Sequence, residues 1–115
     1  MRLLVVDDDI IIRHYFVRTL RRHVDVEEAS RLDEALAKVR SSPFDAVLTD
    51  ERLPDGGGRV LLVQASLLQP RCRRLLMSVE PAATENGRPY ERSFTKVGGL
   101  PQAVMWIRAL ASPDR

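Results

Sequence analysis

Five short apolar runs alternate along the chain with stretches whose apolar residues recur at helical spacing, and this alternation limits the fold more than any other feature. The runs are "RLLVV" (2–6), "HVDVEEA" (23–29), "FDAVLT" (44–49), "RRLLMS" (73–78) and "ERSFT" (91–95), and each reads as a strand. Between the first two, 10–22 reads as a helix with Ile12, Phe16 and Leu20 on one face. Ser30 reads as an N-cap ahead of a second helical stripe of Leu32, Ala35, Leu36 and Val39. A loop of turn formers, "LPDGGG" (53–58), leads into a third helix over 60–68, which Pro70 stops. Pro81, Gly87 and Pro89 allow at most a short, irregular fourth helix. Pro101 at an N1 position opens a last helix, with Leu100, Ala103, Val104, Ile107, Leu110 and Ala111 on its apolar face. Such strand–helix alternation predicts an α/β fold, a parallel sheet with helices on both faces.

At 115 residues the chain fits one domain, 1–115, with 112–115 as a tail or the start of a linker. A hydrophobic share of 44% and a charged share of 30% are those of a soluble globular protein. No apolar run approaches the ~18 residues of a membrane span. Met1 leads almost directly into the first apolar run, so no signal peptide is expected. Cys72 is the only cysteine, which rules out an internal disulfide and fits a reducing, cytoplasmic setting. The net charge is +2, yet Lys38 and Lys96 are the only lysines, and arginines cluster at Arg21–Arg22 and at Arg71, Arg73 and Arg74. Those clusters suit a solvated surface with arginines at helix C-termini, or a patch for an acidic partner or nucleic acid. Aromatic residues make up only 5%, which argues against a single-strand stacking surface.

In open parallel sheets the ligand site lies beyond the C-terminal ends of the strands. Here those ends carry Asp7, Asp8 and Asp9 after the first strand, Asp50 after the third, Ser78 after the fourth and Lys96 after the fifth. Carboxylates gathered at one edge repel, and a hard divalent cation such as Mg²⁺, which takes oxygen ligands, relieves the repulsion. An aspartate can also serve simply as a helix N-cap, and one of the three needs no other task. Beside a metal, Asp50 suits a nucleophile that attacks a phosphoryl group, with Ser78 donating to a phosphoryl oxygen and Lys96 neutralising its charge.

"VVDDD", "DAVLTDERLPDGGG", "LLMS" and "FTK", in this order and spacing, resemble the receiver domain of bacterial two-component response regulators across the whole chain. The resemblance implies a flavodoxin-like (βα)5 fold with strand order 2-1-3-4-5. It implies Asp50 as the phospho-acceptor and Mg²⁺ held by Asp7, Asp8, Asp50 and the backbone carbonyl of Arg52. Ser78 and Lys96 would contact the phosphoryl group, and Asp9 would be an N-cap. The donor implied is a histidine kinase or phosphotransfer protein, with self-catalysed phosphorylation and dephosphorylation rather than a dedicated enzyme activity. Signalling would run through protein contacts on the last strand and the helices beside it, with no direct nucleic-acid or membrane binding by this domain.

Four features depart from the family pattern, all on the output side. Val97 follows Lys96 where proline behind a cis peptide is usual; this predicts either a strained bond or a trans bond with Lys96 aimed elsewhere. Val79 replaces a small residue beside Ser78, Ser93 stands where the switch aromatic is expected with Phe94 facing the other way, and the segment before the fifth strand is short. Met105 and Trp106 mark the last helix as a candidate homodimer contact. These departures keep a second reading open, a pseudo-receiver that binds partners without phosphorylation. A remote third is a haloacid-dehalogenase-like phosphatase, whose first motifs Asp7-x-Asp9 and "LLMS" mimic.

Overall fold

Leu3 and Val5 point to one side of β1 (Arg2–Val6), Leu4 and Val6 to the other, and all four are fully buried. A strand buried on both faces requires cover on both faces, which decides the architecture. The computed structural model describes residues 1–79 and 88–112. After β1 come α1 (Ile10–Leu20), β2 (Asp25–Ala29), α2 (Leu32–Ser41), β3 (Ala46–Asp50), β4 (Arg52–Leu53), β5 (Gly56–Gly57), α3 (Gly58–Leu68), β6 (Arg73–Ser78), β7 (Arg92–Thr95) and α4 (Leu100–Ala111).

The main sheet has five parallel strands in the order β2-β1-β3-β6-β7, which is 2-1-3-4-5 when only its own strands are counted. β4 and β5 form a separate two-residue antiparallel hairpin within the expected loop. One side of the sheet, with Leu4, Val6, Val47 and Leu76, is packed by α2 and α3. The other, with Leu3, Val5, Leu48 and Leu75, is packed by Phe16 and Leu20 of α1 and by Ala103, Val104 and Ile107 of α4. Phe94 belongs to this second layer, and Ser93 is half-buried on the opposite side of β7.

The periodic elements appear where the apolar pattern puts them, and the differences at their ends have identifiable causes. α1 stops at Leu20, because the N–H groups of His23 and Val24 both return to the Leu20 carbonyl and turn the chain. Ser30 is not the N-cap of α2. Arg31 occupies that place with no side-chain cap, and the Asp55 carboxylate, from the loop between β4 and β5, accepts the N–H groups of Leu32 and Asp33 at 2.7 and 2.9 Å. Ser30 instead donates its N–H to Glu34, 2.8 Å away. α3 begins two residues earlier than expected, at Gly58, where a Cβ would lie 2.0 Å from the Asp50 carbonyl oxygen. Only glycine permits that approach. Pro101 is the second residue of α4 rather than the first. The expected irregular fourth helix falls largely on residues 80–87, outside the described residues, as does the end of the 112–115 tail.

Candidate functional site

β1 and β3 are neighbours in the sheet, so the residues leaving their C-terminal ends leave side by side. Asp7 follows β1 and is completely buried, whereas Asp8 is exposed and Asp50, the last residue of β3, is buried. Carboxylate oxygens from Asp7, Asp8 and Asp50 lie within 4.8 Å of one another. Asp9 does not join them: its Oδ1 accepts the Ile11 N–H at 2.9 Å and caps α1.

Asp7 is held from several directions. Its N–H donates to the Ala29 carbonyl at 3.1 Å, and its Oδ1 accepts the Asp9 N–H at 2.9 Å. Its own carbonyl accepts from the Arg13 guanidinium at 2.7 Å, and Arg13 Nε reaches Glu28 at 3.2 Å. β7 brings the cation. The Lys96 N–H donates to the Ser78 carbonyl at 2.8 Å, continuing the β6–β7 pairing by one residue. The Lys96 ammonium then reaches both carboxylates, 2.9 Å from Asp50 Oδ2 and 2.9 Å from Asp7 Oδ2. The contact to Asp50 has hydrogen-bond geometry. That to Asp7 is an ion pair of the same length, and Lys96 is the cation that faces this buried carboxylate oxygen.

The electrostatics follow from this packing. Burial pushes the Asp7 carboxyl above its ordinary value, and Lys96 and the Asp9 N–H only partly oppose it. Burial works against the Lys96 charge, but the Asp50 and Asp7 carboxylates outweigh it, and its pKa rises. Among the described residues there is no cis peptide, so the Lys96–Val97 bond is trans. Lys96 nevertheless points into the site, which corrects the expectation that a trans bond would turn it away.

Beside Asp50 opens a cleft of about 320 Å³ lined by Asp50, Glu51, Arg52, Val79 and Lys96. Ser78 is buried at the end of β6 and is not among the residues lining it. Glu51 and its ion-pair partner Arg59, 3.2 Å away, are site neighbours that sequence reasoning missed, as is Arg13. Arg59 lies on α3 and Glu51 just after β3, and Arg13 lies on α1 and Glu28 on β2, so each pair joins different elements and only the tertiary fold reveals them. On α4, Met105 is exposed, but Trp106 is half-buried with the Arg73 guanidinium 5.4 Å from its ring centroid.

A five-stranded sheet in this order with an acidic cluster at its switch point describes a receiver module, and the known proteins agree. Residues 3–90 match the response regulator receiver domain, and the chain belongs to that family. The response regulator protein PilR of Pseudomonas aeruginosa is 43% identical over 58 residues, a match covering 50% of this chain and 13% of PilR. The CheY-like receiver domain protein from Methanospirillum hungatei JF-1 superposes with a TM-score of 0.84 at 28% identity, covering 96% of this chain and 92% of that one. A Burkholderia pseudomallei response regulator, whose crystal structure holds a phosphorylated aspartic acid, a calcium ion and citrate, shares the fold at a TM-score of 0.77 and 21% identity, covering 99% and 74%. TrrA of Thermotoga maritima, solved in complex with Mg²⁺–BeF, does so at 0.82 and 20%, covering 95% and 97%. The family assignment stands against the dehalogenase-like alternative.

Proposed function

We propose that this domain accepts a phosphoryl group on Asp50 from a phosphohistidine of a histidine kinase or phosphotransfer protein. The observation that carries the reading is the Lys96 ammonium 2.9 Å from both Asp50 and Asp7, a fixed cation beside the nucleophile. An Asp50 carboxylate oxygen forms the new bond to phosphorus as the phosphorus–nitrogen bond of the donor breaks. The electron pair returns to the imidazole, which takes up a proton. Lys96 is placed to neutralise the transferred group, and the Ser78 hydroxyl, at the adjoining strand end, would donate to one of its oxygens.

The residues fit a resident Mg²⁺. Three carboxylates converge, two of them buried with a single ammonium between them, and an all-oxygen donor set of that charge suits a hard divalent cation. Asp7, Asp8, Asp50 and the Arg52 carbonyl would hold the ion. When bound, it supplies positive charge that screens the nucleophile from the incoming phosphoryl oxygens.

A protein donor is supported by the rim of the site. Ile10 and Ile11 follow the aspartates, Val79 follows Ser78 and Val97 follows Lys96, and all four are exposed. Apolar residues around an acidic mouth suit a protein surface better than a small hydrated anion. Among the described residues no helix is long and apolar enough to cross a membrane, in keeping with a cytoplasmic module. A homodimer through α4 would rest mainly on Met105, since Trp106 is already packed.

The deciding experiment is intact mass after incubation with Mg²⁺ and acetyl phosphate, and separately with a phosphorylated histidine phosphotransfer domain. Asp50→Asn is run beside the wild type. One phosphoryl group on the wild type alone is the expected result. None from either donor, on folded protein, would replace this reading with that of a pseudo-receiver.

A further inference from the structure

At the pole opposite the acidic cleft, three clefts merge into one surface. His23, Arg108 and Ala111 belong to the first, Met1, Arg21, Arg22 and His23 to the second, and Met1, Arg71, Arg73 and Ala111 to the third. Met1, His23 and Ala111 are each shared by two of them, so the surface is continuous around the amino ends of the strands. Their volumes are about 500, 480 and 420 Å³.

The rim is basic. Arg21, Arg22, Arg71 and Arg108 are exposed, and none forms an ion pair with a carboxylate among the described residues. The acids nearby are engaged elsewhere: Asp45 accepts the Arg2 N–H at 2.7 Å, Asp25 lies 3.8 Å from the Arg2 guanidinium, and Glu91 binds Arg73. The floor is apolar, with Met1, Val17, Leu110 and Ala111 all half-buried.

We propose that this face docks an acidic amphipathic helix of a partner protein. The arginine forks match carboxylates, and the floor receives the apolar side of the same helix. A nucleic-acid backbone would satisfy the rim but leave the floor unused, and among the described residues no Phe, Tyr or Trp ring lines the clefts to stack a base. The face is remote from Asp50, so the proposal is independent of phosphotransfer.

The test is selection of a displayed random-peptide library on the wild-type domain, followed by fluorescence anisotropy of the enriched peptides. The reference is an Arg22→Glu/Arg108→Glu double variant, checked by thermal melting to be folded; both positions are exposed. The expected peptides carry Asp or Glu together with apolar residues at three- and four-residue spacing. They should bind the double variant at least about tenfold more weakly. Failure of that class to emerge, equal binding to both proteins, or retention of duplex DNA in place of any such peptide overturns the proposal.

Discussion

The two ends of the sheet are both charged, but their charges are built differently. At the carboxyl end, strand-terminal residues supply them: Asp7 is fully buried, Asp50 nearly so, and Lys96 is locked between them. At the amino end, residues at or beyond helix ends supply them: Arg21, Arg22, Arg71 and Arg108 stand in solvent without carboxylate partners among the described residues. Strand ends are covered by the layers on both faces, and helix ends are not. Charge at the first end is therefore coupled to folding and chemistry, and charge at the second is available for association at little structural cost.

The sharpest way to break this comparison is to remove the shared cation. Lys96→Met leaves two buried carboxylates facing each other and should cost about 3 kcal/mol in urea unfolding at neutral pH. The Lys96 pKa is raised, so its contribution is fully present below pH 10.5 and is lost only as pH rises through the still higher folded value. Millimolar Mg²⁺ should restore part of the stability lost in Lys96→Met, since the ion replaces the missing positive charge. No recovery would count against Asp7, Asp8 and Asp50 as metal ligands. Gly58→Ala tests the same end sterically. Its new Cβ would meet the Asp50 carbonyl at 2.0 Å, and the displacement needed should cost about 2 kcal/mol and slow phosphorylation of Asp50.

Asp55 is intermediate, a charge at the carboxyl end that caps a helix instead of lining the cleft. Asp55→Ala should lower the melting temperature, as removal of other helix caps does. The Asp33 N–H, with the Leu32 N–H and Arg31, holds the Asp55 carboxyl below its ordinary 3.8, against a smaller desolvation effect. A depressed folded value means that the cap's contribution is present above pH 3.8 and fades as pH falls through that lower value. The difference between wild type and variant should thus shrink in acid melts and stay constant from pH 5 upward. Asp7 works in the opposite direction, because its raised value makes its ionised form a cost that grows as pH rises above 3.8.

These residues also mark where the sequence is legible. β6 lies at 73–78 as its apolar run predicts, and the acidic cluster follows from one topological rule applied to strand ends. Asp9 as the cap of α1 was readable because N-capping is local. Asp55 capping α2 was not, because its acceptor comes from a loop more than twenty residues away while Ser30 offered the local pattern. The trans bond before Val97 did not turn Lys96 aside, since the backbone bond from Lys96 to Ser78 sets the direction first. The two-residue strands β4 and β5 are too short for any periodicity to announce them. Local chemistry was visible where a cap, period or strand end decides the outcome. It was hidden where two elements meet.

The smallest effect belongs to the amino end. Arg22→Gln and Arg108→Gln should each change stability by less than about 0.5 kcal/mol, because neither side chain has an ion-pair partner among the described residues. Salt separates the two ends further. Raising ionic strength should weaken capture of acidic peptides by the exposed arginines, whose field is screened over about 8 Å at physiological salt, and should leave the contribution of Lys96 nearly unchanged. A large loss of stability in either glutamine variant would mean that these arginines are structural. The contrast between a buried, interlocked pole and an open one would then fail at the pole where it predicts the least.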